Sequence, residues 1–164
     1  MGKKIFIVRH AKSSWADMSV TDKERKLNAR GKKDAPRMAA WCKEHGYIPQ
    51  LMISSTAVRA RKTAAAFHKE MKLDNNQLLL TDTLYHAPAE TYLENCYGLP
   101  ESIESVMLFG HNPGITYLAN EVHDEYIDNV PTCGVLVIST SASTWDQVDF
   151  SNCTLQLLKV PKKL

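Results

Sequence analysis

The chain has 164 residues, of which 44% are hydrophobic and 23% are charged, and its formal net charge is +2. This length is enough for one domain with a full hydrophobic core, and we expect a single domain over residues 1–164. The near-neutral charge gives no electrostatic reason to expect nucleic acid or a membrane as the main partner. No apolar stretch approaches the about twenty residues of a membrane helix, and no secretory signal is recognisable, so we expect a cytoplasmic protein.

Short apolar runs predict six strands. They occupy residues 5–8, 51–53, 78–80, 106–109, 133–139 and 153–160. Apolar runs of this length that are followed by helical patterns are typical of buried strands in a parallel sheet. The predicted fold class is therefore α/β: a single-domain three-layer sandwich, in which a mostly parallel sheet carries helices on both faces.

Helical spacing of apolar residues predicts the helices between these strands. The first carries apolar residues from Ala35 to Cys42 and ends near Gly46, a residue typical of a helix C-cap. Pro36 leaves two starts open, one near the proline itself and one at an earlier turn from Asn28 that is kinked at the proline. The remaining predictions are helices over 60–71, 93–97 and 115–122 and a polar loop over 12–26.

The four cysteines show no metal-binding or redox spacing. They are widely separated and contain no C-x-x-C pair, which argues against a zinc knuckle and against a redox pair. With no export signal, we expect all four thiols to be reduced and buried. They are Cys42, Cys96, Cys133 and Cys153.

Arginine and histidine residues follow three of the predicted strands. Arg9 and His10 come directly after the first strand, Arg59 follows the second, and His111 follows the fourth. Because ligands bind beyond the carboxyl ends of the strands in open α/β sheets, we expect these side chains to meet at one edge. Two guanidinium groups and two imidazoles at one place predict a site for phosphate.

The chemistry of these residue types suggests separate roles. Arg9 and Arg59 would hold phosphate oxygens with their planar forks, and Arg25 in the polar loop is a candidate third clamp. A neutral imidazole is a nucleophile toward phosphorus, and the neighbouring arginine makes His10 the better placed of the two histidines. His111 would stabilise charge in the transition state. Two further candidates for substrate binding lie next to these motifs, Lys12 and Asn112.

Each of these motifs also has a purely structural interpretation. The Gly-His-Asn-Pro-Gly segment 110–114 could simply start a helix, and the basic residues 59–62 could be a solvated helix face. No aromatic residues interleave with those basic residues, so a nucleic-acid surface is a poorer explanation. The coincidence of all three motifs at strand ends favours the phosphate site.

At this point the chain resembles the histidine phosphatase superfamily, and within it the small phosphohistidine phosphatases of the SixA type. The resemblance rests on four segments and weakens after about residue 120. The resemblance implies a phosphoglycerate-mutase-like fold, a phosphorylated nucleophile at His10, and a pocket completed by Arg9, Arg59 and His111. It also implies neither a metal nor an organic cofactor. The four segments are Arg9-His10, Asp22-x-x-Arg25-x-Leu27-x-x-x-Gly31, Ser54-Ser55-Thr56-Ala57-Val58-Arg59-Ala60-Arg61-Lys62-Thr63-Ala64 and Gly110-His111-Asn112-Pro113-Gly114.

The chain departs from the superfamily pattern at two places. Ala11 replaces the usual glycine of the first motif, so the turn there should be one that tolerates a Cβ atom. No residue matches the proton donor of either superfamily branch, because Asn112 stands where one branch has an aspartate; His86 and Glu90 are fallback acids. An alkoxide leaves phosphorus badly without an acid, whereas a phosphoramidate nitrogen can be protonated by solvent. The sequence therefore favours phosphohistidine on a protein as the substrate.

Two other functions stay open. The first is a mutase or a phosphatase for small phosphomonoesters of the same superfamily, which would need a defined acid. The second is a module that binds phosphorylated proteins without turnover, which would keep the arginines but would have no need of His10. The expected partner is thus a phosphorylated protein or a small phosphorylated substrate. Loops 12–26 and 81–100 could cover the pocket, and Trp15 in the first of them is a candidate substrate contact.

Overall fold

The computed structural model describes residues 2–164, and its six strands form one sheet. The sheet order is β3-β2-β4-β1-β5-β6. β1, β2, β3 and β4 pair in parallel, whereas β5 is antiparallel to both of its neighbours, β1 and β6. Five strands thus run in one direction, and the predicted mostly parallel sheet is confirmed. The strands are β1 Lys4–Arg9, β2 Leu51–Ser55, β3 Leu78–Thr81, β4 Ser105–Gly110, β5 Val135–Thr140 and β6 Cys153–Lys159.

Four α-helices cover the two faces of this sheet. Successive residues of a strand point to opposite faces, and β1 shows the division clearly. Ile5 and Ile7 pack in the core that contains α3 and α4, whereas Phe6 and Val8 pack in the core that contains α1 and α2. The three-layer sandwich is therefore confirmed. The helices are α1 Ala29–Glu44, α2 Val58–Glu70, α3 Ala89–Glu94 and α4 Gly114–Glu121.

The start of α1 resolves the choice that Pro36 leaves open in the sequence. Asn28 is the N-cap, and its side chain accepts a hydrogen bond from the Gly31 N–H at 2.9 Å. The cap fixes the earlier of the two starts, and Pro36 lies inside the helix. At the other end, Gly46 has a left-handed φ of 78°, as expected for the residue that ends a helix.

The third predicted helix is wrong at its C-terminal end. α3 ends at Glu94, so Cys96 and Tyr97 lie beyond it. Their backbone N–H groups bond the carbonyl groups three residues back, at Leu93 and Glu94, with distances of 2.9 and 3.1 Å. Bonds of this kind tighten the chain into a 3₁₀-like turn and end the α-helix.

The polar loop over residues 12–26 is tied to the helices. It contains one 3₁₀ turn at Asp22–Glu24, and Ser13 forms an isolated antiparallel bridge with Leu27. Gly31 in α1 lies so close to the loop that a Cβ atom there would be 2.1 Å from the carbonyl oxygen of Lys12. The glycine therefore permits the close approach that seats the loop on α1.

Two further features concern the lengths of the helices and the state of the cysteines. No helix within residues 2–164 combines the length and the apolar character that crossing a bilayer requires. All four cysteines are free, and they are buried as the sequence predicts.

Candidate active site

The carboxyl ends of β1, β2 and β4 bring the predicted side chains together. His10 directly follows β1, Arg59 lies in the first turn of α2 after β2, and His111 directly follows β4. The ring centroids of the two histidines are 5.2 Å apart. The predicted meeting of the two imidazoles at one edge of the sheet is confirmed.

His10 is held in one tautomer by its own turn. The ring is 7% exposed, and its Nδ1 atom lies 2.7 Å from the carbonyl oxygen of Ala11. Because a carbonyl can only accept, Nδ1 carries the proton and donates it. In the neutral ring, Nε2 then has a free lone pair, which is the form that a nucleophile requires.

The environment of His10 keeps the ring uncharged. Burial lowers its pKa to about 4, the bond to Ala11 opposes this, and the positive charges of Arg59, Arg9 and Arg25 lower it further. The sequence predicts the arginine effect, but burial is the larger cause. At neutral pH the Nε2 atom is therefore available.

The turn after β1 tolerates a side chain at the position where the superfamily has glycine. Ala11 is buried, and its backbone N–H donates to the Thr63 hydroxyl at 2.9 Å. Ala11 is not among the residues with a left-handed φ, so the expectation from the sequence is confirmed. A residue that does have a left-handed φ packs against this turn. It is Cys133, with φ of 61°, and its N–H bonds the carbonyl oxygens of Arg9 and His10 at 3.0 Å each.

His111 is fixed by a tyrosine and a serine. Its backbone N–H donates to the Tyr92 hydroxyl at 3.0 Å, and its Nε2 atom lies 2.8 Å from the hydroxyl oxygen of Ser55. The Ser55 oxygen already accepts from the Ala57 N–H at 3.2 Å. Within residues 2–164, His111 Nε2 is the one hydrogen-bond partner of the Ser55 hydroxyl that can accept from it, so we assign Ser55 as the donor. This assignment places the proton of the neutral His111 ring on Nδ1.

His111 is also kept neutral by its surroundings. Burial lowers its pKa to about 3, with further lowering by His10 and Arg59. Its Nδ1 atom is buried and has no hydrogen-bond partner in residues 2–164. A neutral ring whose Nδ1–H has no partner can donate to an anion, and a donor of this kind stabilises developing negative charge.

Two site arginines keep part of their donor capacity unused. Arg9 donates from Nη1 to the carbonyl oxygen of Val130 at 2.9 Å. Arg59 donates from Nη1 to the Asp22 carbonyl oxygen at 2.6 Å and from Nη2 to the Asp22 carboxylate at 3.0 Å. The Nε atom of each arginine is buried without a partner, and these two atoms with His111 Nδ1 are the only such side-chain atoms among residues 2–164. Buried donors are normally paired, so three unpaired donors on residues of one site favour an anion as the missing acceptor.

The loop over residues 12–26 brings Arg25 and Asp22 to the same cluster. Arg25 is 8% exposed and donates from Nε to the Asp22 carboxylate at 3.1 Å and from Nη1 to the Ser13 hydroxyl at 2.6 Å. Its guanidinium carbon lies 3.6 Å from the ring centroid of Trp15, which is 70% exposed. Arg25 is thus placed beside the predicted phosphate site, with Trp15 as its outer cover.

Asp22 links the arginines to Tyr85. Its carboxylate accepts from the Tyr85 hydroxyl at 2.6 Å in addition to the two arginine bonds. Burial alone would raise the pKa of Asp22, but the bonds from Tyr85 and Arg59 outweigh it and hold the pKa well below its usual range. Asp22 therefore stays ionised, and it orients the arginines; it cannot donate a proton.

Two predicted substrate-binding residues are placed differently. The Asn112 amide donates to Asn129 and Val130 and accepts twice from Thr116, at distances of 2.9–3.1 Å. All four of its hydrogen-bonding positions are used, so the bonds favour a structural role for Asn112 over the expected ligand contact. Lys12 is exposed, and its ammonium makes no ion pair with the described residues. The role expected of Lys12 stays a prediction.

Of the two fallback acids, His86 lies at the site and Glu90 does not contact it. The ring centroid of His86 is 6.5 Å from that of His111 and 3.9 Å from that of Tyr85. His86 has a left-handed φ of 57°, and its Nε2 atom is 3.9 Å from the Asp22 carboxylate. Glu90 is exposed in the first turn of α3 and makes no side-chain hydrogen bond or ion pair with the described residues.

Several residues at the site have no role in the sequence-based prediction. Ser55, Asp22 and Tyr85 all contact it, but each functions through another side chain. Asp22 and Ser55 do belong to the segments that carry the superfamily resemblance, and that membership was the available signal. Tyr92 lies outside those segments, so the sequence did not point to it. In the structure its hydroxyl lies so close to Gly110 that a Cβ atom there would be 2.2 Å away. No group of three or more His, Cys, Asp or Glu side chains within 2–164 is arranged to hold a metal ion.

Comparison with known proteins finds similarity to histidine phosphatases both in sequence and in fold. Residues 5–81 match the model of the histidine phosphatase superfamily, branch 1. An uncharacterized chloroplastic protein of Arabidopsis thaliana is 27% identical over 156 residues, which cover 90% of this chain and 71% of the relative. A SixA protein of Agrobacterium tumefaciens, provisionally named a phosphohistidine phosphatase, has 28% identity, coverage of 98% of this chain and 99% of that chain, and a TM-score of 0.81. The protein histidine phosphatase SixA in complex with tungstate shares the fold, at 20% identity over 98% of each chain and a TM-score of 0.80.

These matches and the arginine–histidine cluster define the class of the protein. The chain matches the histidine phosphatase superfamily over residues 5–81 and is similar to a SixA protein over nearly its whole length, and these likenesses support a hydrolase of the phosphatase class. The SixA-type resemblance that the sequence predicts is supported by these structures, and the fold is phosphoglycerate-mutase-like.

Proposed function

We propose that the protein removes a phosphoryl group from phosphohistidine on another protein, through a covalent intermediate on His10. The observation that carries this proposal is the tautomer of His10. Its Nδ1–H is engaged by the Ala11 carbonyl, and its pKa is about 4, so Nε2 is unprotonated at neutral pH. A binding module would have no use for a histidine whose reactive nitrogen is freed in this way.

In the first step, His10 Nε2 attacks phosphorus. The Nε2–P bond forms as the bond from phosphorus to the substrate nitrogen breaks, and the electron pair goes to that nitrogen, which takes a proton from solvent. The His10 ring becomes positively charged because Nδ1 keeps its proton. The Ala11 carbonyl, which accepts from Nδ1 at 2.7 Å, stabilises that charge.

The other side chains bind the phosphoryl oxygens. The unused donors of Arg9 and Arg59 and the Nδ1–H of His111 supply hydrogen bonds to oxygens that carry negative charge. Charge-assisted bonds of this kind are worth about 1.5–3 kcal/mol each. They hold the phosphoryl group, which is nearly doubly negative, at a place where an uncompensated charge would be costly.

In the second step, water attacks phosphorus of the phosphorylated His10. The Nε2–P bond breaks, the electron pair returns to Nε2, inorganic phosphate leaves, and the water proton passes to solvent or to phosphate. Neither step requires an acid with a pKa near neutrality. Asp22 cannot serve as one because it stays ionised.

The substrate preference follows from that lack of an acid. General acid catalysis is typically worth about 10²–10⁴-fold for a poor leaving group. A phosphoramidate nitrogen gains its proton from solvent, so phosphohistidine should be hydrolysed well and an alkyl phosphate poorly. The expected ratio of kcat/KM between free phosphohistidine and an alkyl phosphate monoester is at least about 100.

The alternative function, hydrolysis of a small phosphomonoester, is favoured by one observation. His86 lies at the site, with its ring 3.9 Å from that of Tyr85, and an imidazole there is able to protonate an alkoxide. Glu90 offers no comparable contact. For this alternative, His86→Gln should reduce turnover of the monoester much more than Glu90→Gln.

A substrate panel tests the proposal against both alternatives. Free phosphohistidine, a histidine-phosphorylated carrier domain, an alkyl phosphate and a sugar phosphate are assayed with the wild type, His10→Ala, His86→Gln and Glu90→Gln. The proposal expects turnover of both phosphohistidine substrates that only His10→Ala abolishes. Comparable turnover of the monoesters that depends on His86 or Glu90 would favour the phosphomonoesterase. Tight binding of the phosphoprotein with no turnover of any substrate would favour the binding module.

A further inference from the structure

A groove between α1 and α2 concentrates positive charge. The groove has a volume of about 540 Å³. Four cationic side chains line it, and of the described residues in its lining none is acidic. We call this surface the α1–α2 groove and define it by its cations, Lys26, Lys32, Arg61 and Lys62.

The charges of the α1–α2 groove differ from those on the neighbouring side of α1. There, Arg30 and Arg37 lie beside Asp34, with N–O distances of 3.4 and 3.3 Å. The four groove cations have no ion-pair partner within 4.0 Å in residues 2–164. Because the whole chain has a formal charge of only +2, these four cations are a local concentration of positive charge.

The α1–α2 groove adjoins the candidate active site. Its lining includes Lys26 and Val58, which are the direct chain neighbours of Arg25 and Arg59. Consecutive Cα atoms are about 3.8 Å apart, so the rim of the groove lies within one residue of both site arginines. A chain that enters the site with a phosphorylated side chain would therefore lay its flanking residues over these cations.

The floor of the groove distinguishes a polypeptide from a nucleic acid. Leu27, Ala35 and Val58 supply an apolar base between the cations. Binding of single-stranded nucleic acid relies on aromatic side chains on which bases stack, and none of the described lining residues is aromatic. Cations around a small apolar base fit a peptide with acidic and aliphatic side chains.

We infer that the α1–α2 groove docks an acidic segment of the phosphorylated protein, next to the phosphohistidine that enters the site. This inference rests on the proposed function for the identity of the substrate, but the docking itself is a property of the groove. It predicts selectivity among phosphoproteins by the charge of the residues that flank the phosphohistidine.

The test compares two double variants with equal changes in charge. Arg61→Glu/Lys62→Glu reverses two groove cations, and Lys33→Glu/Lys162→Glu reverses two cations that line the separate groove near Asp34. The substrates are free phosphohistidine, a phosphohistidine peptide flanked by Asp and Leu residues, and one flanked by Ser and Leu residues. At low salt, the groove variant should lose about 10-fold or more in kcat/KM for the acidic peptide. For the other two substrates it should change less than about twofold, and the control variant should change little for all three.

A binding measurement separates the docking from the catalysis. The unphosphorylated acidic peptide is titrated into the wild type and both double variants, and NMR shifts of the groove residues are followed. Weaker binding to the groove variant alone, and weaker binding in 0.5 M salt, supports the docking even if no phosphohistidine substrate is turned over. In that case the proposed function is wrong, but the docking of an acidic segment in the α1–α2 groove is still supported.

Three results would overturn the docking inference. The first is an equal kcat/KM of the wild type for the acidic and the uncharged peptide. The second is an equal loss of affinity for the acidic peptide in the groove variant and the control variant. The third is binding of an oligonucleotide of the same charge as tightly as the acidic peptide, which would assign the groove to nucleic acid.

Discussion

The hydrogen bond from Ser55 to His111 gives a sharp test of how the site functions. Ser55 is fully buried, and its hydroxyl lies 2.8 Å from His111 Nε2. Ser55→Ala removes this donor without removing any group that would contact the substrate. The imidazole of His111 then loses the constraint that places its proton on Nδ1.

The expected magnitude follows from the value of one hydrogen bond. Loss of the bond removes about 1–1.5 kcal/mol of the free energy that favours the Nδ1–H tautomer of His111, which corresponds to a decrease in kcat of about 5–10-fold. Since the affected bond matters only where charge develops on the phosphoryl oxygens, kcat and kcat/KM should fall together and KM should change little.

Ser54→Ala is the matched control for this substitution. Ser54 is also fully buried in β2, but its hydroxyl donates to the Ser55 carbonyl oxygen at 2.9 Å and not to a histidine. The rates are measured with phosphohistidine at pH 7, and ¹⁵N NMR of the His111 ring reports the tautomer directly. Equal losses of kcat in the two variants, or an unchanged Nδ1–H tautomer in Ser55→Ala, would show that Ser55 does not set the tautomer of His111.

Four further predictions concern charge, the pH dependence of activity and of stability, and packing. Arg59→Lys should lower kcat/KM about 100-fold, because one ammonium cannot replace the guanidinium that bonds Asp22 through two nitrogens, whereas Arg61→Lys should change it less than about twofold. kcat/KM should be level near neutrality and fall about tenfold per pH unit below about 4, where His10 becomes protonated; a midpoint near 6.5 would contradict the buried, neutral ring. The free energy of unfolding should also decrease as the pH falls from 6.5 to about 4, since the unfolded chain takes up the His10 proton first. Gly31→Ala, whose Cβ atom would be 2.1 Å from a backbone oxygen, should destabilise the protein by about 1–3 kcal/mol in urea unfolding, and an unchanged midpoint would disprove the close approach.

The sheet and the histidine pair could be predicted because they depend on local patterns. Short apolar runs followed by helical spacing are sufficient to indicate parallel strands, and that order alone brings His10 and His111 to one edge. The predicted helix over 93–97 extends beyond the end of α3 at Glu94. Cys96 lies in the 3₁₀-like turn that follows α3, and the spacing of apolar residues does not distinguish such a turn from an α-helix.

The supporting residues could not be predicted from spacing, because their contacts join residues that are far apart in the sequence. Tyr92 bonds His111 over 19 residues and Tyr85 bonds Asp22 over 63 residues. The substrate contact expected of Asn112 stays a prediction. In the structure its amide bonds Thr116 at the start of α4 and the carbonyl oxygen of Val130.

The most direct test of the account is to trap the phosphorylated enzyme. The wild type, His10→Ala and the exposed-histidine control His123→Ala are mixed briefly with labelled phosphoramidate, quenched in alkali and mapped by mass spectrometry. The account predicts an acid-labile phosphoryl group on His10 Nε2 in the wild type and the control, with neither label nor turnover in His10→Ala. Turnover that survives the loss of His10, or a label on a different residue, would contradict it.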